Sequence, residues 1–302
     1  MFFFLAIIGY LLLAVVSLLD KLILTKSINK PVVYAFYANV FMFGALLAWP
    51  LSGEFLRGVD WWWAILSGAG FGLGMWTIYI SQKESEATHV VPFNGAMISI
   101  SVYGLSAFFL GEKLVGAQVA GIMILLFASF LLSLENSSKH RGFHRGFFWA
   151  ALSGLFFAIS HVSAKYLYEI YPFWTGFVWS KAAVGLVAVP MLFSLSVRNS
   201  LFKRKNKLRP KTVGKRYSSL IFIINKVLSI SSVVLIQYAA AIGSVTIVNA
   251  VAGAQYAFMF VLAYFSTKFW PKVFKEYFTK KEISIQLIAI AMVVVGMIFF
   301  VL

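Results

Sequence analysis

Lys181, Lys226, His161, Lys165, Lys21 and Asp20 all lie within long apolar stretches of the chain. Lys181 follows Pro172 by nine residues, or about 13 Å of helix at a rise of 1.5 Å per residue, which puts it near the middle of a bilayer. Lys226, next to Asn225, is similarly deep. His161 and Lys165 are four apart and share a helix face, and Ser17 and Lys21 hold the same spacing near the N-terminus. An ammonium at mid-membrane costs about 3 kcal/mol even on lenient insertion scales, so each of these groups should meet a partner or a polar cavity.

Two roles are open to them. Lys21 and Lys165 could snorkel to the interface, His161 could be hydrogen-bonded in the bundle, and Lys181 and Lys226 could satisfy carbonyls at broken helices. Alternatively, several line one cavity, where a surplus of cation over carboxylate favours an anionic or carboxylate-bearing solute. On that reading the substrate-binding candidates are Lys181, His161, Lys165 and Lys226, with Asn39 facing them. Asp20, the one internal carboxylate candidate, and His161 can each carry a proton and are the candidates for coupling-ion sites. Trp76, Tyr79, Trp179 and Tyr256 are candidate cavity walls.

No catalytic set accompanies these residues. There is no H-E-x-x-H and no pair of carboxylates within a span, and His140 and His144 fall in a loop. Absence of cysteine removes thiolate nucleophiles, thiolate metal sites and disulfides together. No cofactor or metal is called for, and a membrane-embedded enzyme is disfavoured.

The elements that must position these side chains follow from composition. Of 302 residues, 61% are hydrophobic and 12% charged, against roughly 25% charged in a soluble domain. The class is an all-α polytopic membrane protein. A helix needs about 20 apolar residues to cross the hydrocarbon, and ten fit, near 2–24, 33–50, 61–82, 89–110, 114–134, 146–168, 172–196, 218–238, 244–267 and 282–302. The first, Met1-Phe2-Phe3-Phe4 onward, lacks a basic leader and a cleavage site and reads as a retained helix.

Divided near residue 140, the chain gives two units of five spans, 1–140 and 141–302, in the same order. Lys21 and Lys165 each stand 18 residues after a Phe, Phe3 and Phe147. Ala48-Trp49-Pro50 matches Ala188-Val189-Pro190, and Thr88-His89-Val90-Val91 matches Thr246-Ile247-Val248-Asn249. With an odd number of spans per unit, the second enters the membrane upside down relative to the first. Inverted repeats let a carrier build two alternative faces around one midplane site.

Charge sets the orientation. Of the 26 Lys and Arg, 21 fall in loops or at span ends on one side of a ten-span arrangement, against Arg57, Lys113 and Lys165 on the other. The positive-inside rule makes the rich side cytoplasmic and leaves both termini outside, in the cell membrane. The basic loop at 197–217 is expected to lie on anionic headgroups. Nucleic acid is not expected, because no aromatics alternate with its charges. Inside the third span, Ser67-Gly68-Ala69-Gly70-Phe71-Gly72-Leu73-Gly74 lacks the Lys-Ser/Thr of a phosphate loop; its Gly68/Gly72 and Gly70/Gly74 pairs instead offer two faces for close helix packing. Trp61-Trp62-Trp63 fits an interfacial belt.

Phe109-Leu110-Gly111-Glu112-Lys113-Leu114 with Gln118 and Gly121, and Lys275-Glu276-Tyr277-Phe278 with Gln286 and Gly296, open the last span of each unit. With the five-plus-five layout, these resemble the drug/metabolite transporter superfamily, in particular its EamA-type repeat. The resemblance implies ten helices around a central cavity, alternating access without ATP hydrolysis, and substrates ranging over amino acids, other metabolites, drugs, nucleotide sugars and sugar phosphates. Physically, Glu112 in the first turn of the fifth span should complement that helix's own positive end. The expected function is secondary transport of a small polar organic metabolite. A flippase for a lipid-linked intermediate, using the same basic groups, is the alternative.

Overall fold

The computed structural model describes residues 1–26, 30–52, 54–85, 87–132, 145–202, 215–269 and 280–299. Its long helices are α1 (Phe2–Lys26), α2 (Pro31–Phe41) continued by a 3-10 turn (Met42–Ala48) and α3 (Trp49–Ser52), α4 (Asp60–Glu84), α5 (Ala87–Phe109), α6 (Gly116–Leu132) and α7 (Arg145–Ile170). There follow α8 (Phe173–Leu186), α9 (Ala188–Met191), α10 (Leu195–Phe202), α11 (Lys215–Ile242), α12 (Val245–Ala250), α13 (Gly253–Phe269) and α14 (Lys280–Ile298). Among the described residues there is no strand, and eight helical stretches are long and apolar enough to cross a membrane. The chain is a polytopic α-helical membrane protein. Two shorter apolar helices, Gly116–Leu131 and Ile283–Ile298, fall where the fifth and tenth spans are expected. The run expected to lie on headgroups, and Glu276, fall largely or wholly at 203–214 and 270–279, outside the described residues.

Three expected spans are interrupted. A proline ring clashes with the carbonyl four residues earlier and brings no N–H. α8 accordingly stops at Leu186, four residues before Pro190, and the stretch before Pro50 tightens into the 3-10 turn that contains Leu46. The ninth expected span breaks at Val251-Ala252, between α12 and α13.

α4 is the most closely packed helix, laid along α7 on one face and α8 on another. Its glycines make this possible. A Cβ at Gly68 would stand 2.5 Å from Ala183, and one at Gly72 2.8 Å from Val187; at Gly70 it would meet the Phe156 carbonyl oxygen at 2.6 Å, and at Gly74 the Phe157 ring at 3.0 Å. One glycine pair therefore faces the α8 side and the other faces α7. The approach brings hydroxyls within reach of backbone across the seam: Ser67 Oγ donates to the Ser160 carbonyl at 3.0 Å and Ser153 Oγ to the Gly74 carbonyl at 2.8 Å. α1 packs along α11, and α6 along α14.

The segment before α4 is tied down by polar and aromatic contacts. Asp60 accepts from Tyr171 at 2.7 Å and Tyr166 at 3.4 Å, while Trp179 Nε1 donates to the Glu54 carbonyl at 3.1 Å and its ring stacks with Phe55. The three consecutive tryptophans part company here. Trp62 is exposed, whereas Trp61 packs on Trp179 and Trp63 stacks on Tyr166.

Candidate functional site

A cavity of about 140 Å³ lies between the helices. Each of the crossing helices gives it one stripe. α1 supplies Tyr10, Ser17 and Asp20, spaced seven and three apart; α4 supplies Phe71, Tyr79 and Gln82; α5 supplies Asn94 and Gly95; α7 supplies Phe157 and His161; α11 supplies Ser229 and Gln237; and α12 and α13 supply Asn249, Gln255 and Tyr256. Leu13, Val16, Ile78, Ile98, Val233 and Ile236 complete walls that are mainly apolar. Small ligands are held in such sites by a few oriented polar groups set in apolar walls.

Of the sequence candidates, Asp20 and His161 line this space and Lys181, Lys165, Lys226 and Asn39 are not among its lining residues. Asp20 is the hub of one polar group. Its Oδ1 accepts from the Tyr34 hydroxyl and from Asn225 Nδ2 at 2.6 Å, and that amide also reaches the Tyr34 hydroxyl at 3.1 Å. α1, α2 and α11 are thereby joined. Lys226 stands over the Tyr34 ring at 4.8 Å and the Phe222 ring at 5.5 Å.

A separate pair, Gln255 with Ser17, joins α13 to α1, and the second polar group is centred on His161. Its Nδ1 lies 2.7 Å from Asn249 Oδ1, while Asn249 Nδ2 donates to the Val245 carbonyl at 2.7 Å and Gln255 Nε2 to Ser17 Oγ at 3.2 Å. Lys181 is 1% exposed, and its Nζ sits 4.2 Å from the centre of the Phe71 ring with no hydrogen-bond partner among the described residues. It lies one aromatic ring away from the cavity. Asn39 is fully buried, with Nδ2 3.5 Å from the Gly72 carbonyl and Oδ1 without a partner among the described residues.

Lys165 and Lys21 end up at carbonyls. Lys165 Nζ donates to Ala241 and Gly243 at 3.2 and 3.0 Å and lies 3.7 Å from Glu169, and Lys21 Nζ donates to the carbonyls of Gln82, at 2.7 Å, and Ser85. Each ammonium covers the C-terminal carbonyls of another helix, α11 or α4, where the last turn has no intrahelical donors. The cation surplus expected in the cavity is thus absorbed by carbonyls and ring faces around it.

Glu112 corrects its expectation. It precedes α6 by four residues, next to Gly111 at φ +63°. Its carboxylate accepts from Ser244 and from Thr246 at 2.6 Å, and Thr246 pairs with Ser106 at 2.8 Å. The helix start it serves is that of α12, capped by Ser244, not that of its own α6. The left-handed turn at Gly111 redirects the chain so that the carboxylate reaches across.

Gln82, Asn94, Gln237, Asn249 and Gln255, none of them a sequence candidate, also line the cavity. All are amides inside apolar runs, a signal that ionisable residues overshadow. Pro92 lies inside α5, two and three residues before the lining Asn94 and Gly95. Of the four proposed aromatic walls, Tyr79 and Tyr256 line the space; Trp179 belongs instead to the cluster with Trp49, Phe55 and Trp61.

No protein-family model matches the chain and no curated protein matches it. A solved structure described only as the crystal structure of a protein superposes with a TM-score of 0.60 at 18% identity, covering 99% of this chain and 94% of the other. That likeness is one of fold.

Proposed function

We propose that this chain is a secondary carrier of the drug/metabolite transporter type, with ten spans in two inverted five-helix units, 1–140 and 141–302. It moves a small polar organic molecule by alternating access. The observation that carries the reading is the cavity, because both halves of the chain build it: α1, α4 and α5 from one, α7, α11, α12 and α13 from the other. Rocking one half against the other would expose such a space to each side in turn.

Further features support two related halves. Lys21 and Lys165, matched in sequence, each reach the C-terminal carbonyls of the third long helix of their own half, α4 and α11. Pro50 and Pro190, also matched, each interrupt the second span. Interrupted helices at membrane depth are tolerated where neighbouring protein or a cavity satisfies their freed groups. The positive-inside distribution puts both termini outside the cell membrane.

The test is uptake into proteoliposomes. Purified protein should exchange a water-soluble metabolite from a mixed library across a lipid bilayer without ATP, and Val233→Phe, which fills the cavity from α11, should abolish exchange while leaving a monodisperse protein. Exchange that is indifferent to Val233→Phe sinks the reading. Movement of lipid-linked compounds alone would favour the flippase.

A further inference from the structure

Among the residues that line the cavity there is one carboxylate and no lysine. Asp20 lines it, and both hydrogen bonds to that carboxylate, from Tyr34 and Asn225, arrive at Oδ1. Oδ2 has no hydrogen-bond partner, and no ion pair involves Asp20, among the described residues. Lys226, the basic residue beside Asn225, stands over the rings of Tyr34 and Phe222 and feels the charge of Asp20 without coming within ion-pair distance of it. Lys181 is not among the lining residues, but its amine sits over the ring of Phe71 and acts electrostatically on His161, both of which line the space; Lys165 and Lys21 bond carbonyls at helix ends.

An entering anion would find many of the polar donors already committed. Asn94 Nδ2 donates to the Ala150 carbonyl at 2.8 Å, Ser17 Oγ to the Leu13 carbonyl at 2.9 Å, and Asn249 and Gln255 donate as described. A cation would instead find a carboxylate oxygen still lacking a donor, in walls that include Phe157, Tyr79 and Tyr256. Aromatic faces attract cations through their quadrupole, and a carboxylate in a site of low dielectric binds an ammonium more strongly than in water.

Resting on the carrier reading, we infer that the occupant of this cavity is a small organic cation. It has a protonated nitrogen that donates to Asp20 Oδ2 and a small apolar or aromatic body against the ring-lined walls. This reverses the preference for anions that the lysine count alone suggests. Asp20 is the specificity-determining residue, and Tyr34 and Asn225 are positioning residues that hold its carboxylate at one oxygen and leave the other open.

The test uses the full chain in lipid nanodiscs and a pair of probes with one body and opposite charges, phenethylammonium and 3-phenylpropionate. Binding is read by thermal shift, since a ligand of the folded state raises the melting temperature by mass action. Phenethylammonium should bind and 3-phenylpropionate should not. Asp20→Asn should weaken the cation by about tenfold or more, and Asp20→Glu, which keeps the charge, should retain the preference. Tyr34→Phe, leaving Asp20 in place, keeps the comparison available should Asp20→Asn not fold, and should still prefer the cation.

Preferential binding of the anion, equal binding of both probes, or binding of neither overturns the inference. Cation binding undiminished in a folded Asp20→Asn protein does so as well. The carrier reading fails separately, when exchange in proteoliposomes ignores the filling of the cavity by Val233→Phe. Anion binding that Val233→Phe abolishes would keep the carrier and discard the cation.

Discussion

At the scale of single residues, the buried lysines divide according to what lies within reach of a four-carbon stem. Lys165 finds two carbonyls at the end of α11, whereas Lys181 lies over a ring and has no hydrogen-bond partner among the described residues. Removing Lys165 as Lys165→Met leaves the Ala241 and Gly243 carbonyls without this donor, at a cost of about 1–3 kcal/mol. The melting temperature in detergent should fall by several degrees. Lys181→Met removes a buried amine that has no hydrogen-bond partner among the described residues, so it should leave the melting temperature unchanged or raise it. A fall equal to that of Lys165→Met would mean that the ammonium has a partner the geometry does not reveal. Glu112 offers a sharper comparison. Glu112→Gln keeps acceptor and shape, whereas Glu112→Ala deprives the hydroxyls of Ser244 and Thr246 of their acceptor. Alanine should destabilise by about 1–3 kcal/mol, more than glutamine, in thermal unfolding.

At the scale of elements, the α4–α7–α8 seam depends on hydrogen at four Cα positions. Gly70→Ala would drive a methyl against the backbone oxygen of Phe156, which cannot rotate away as a side-chain end could. Parting α4 from α7 should cost about 1–3 kcal/mol and weaken the serine bonds that cross the seam. Gly104, in the interior of α5, has nothing within 4 Å of its would-be Cβ. Gly104→Ala should therefore be neutral or stabilise by up to about 1 kcal/mol through helix propensity. Thermal melts of the two variants, side by side, check whether close approach or flexibility explains these glycines. Equal effects would remove the packing argument.

At the scale of the whole molecule, orientation in the membrane is testable because the chain has no cysteine. Arg57→Cys and Lys83→Cys place a single thiol at opposite ends of α4. In intact cells a membrane-impermeant maleimide should label the first and spare the second, with lysis exposing both. The reverse pattern would invert the proposed topology. Joint burial of the two halves around one cavity also means that separated halves should not bind the phenethylammonium probe, while a mixture of both should recover it if they reassociate.

Membrane class, the course of the apolar helices and the close-packing faces of Gly68 to Gly74 were legible in the sequence, because hydropathy summed over about 20 residues and the spacing of small residues are local properties. The sequence also carried the matched positions of Lys21 and Lys165 and named Asp20 and His161. Where spans break, and which polar groups meet, was settled by packing in three dimensions. The rotation of a helix about its axis is fixed by packing against helices remote in the chain, so no count of lysines could tell that Lys181 faces the ring of Phe71, that Glu112 reaches α12, or that five amides join Asp20 around the cavity. Charge was legible as composition, but its direction depends on contacts between residues as far apart as Asp20 and Asn225.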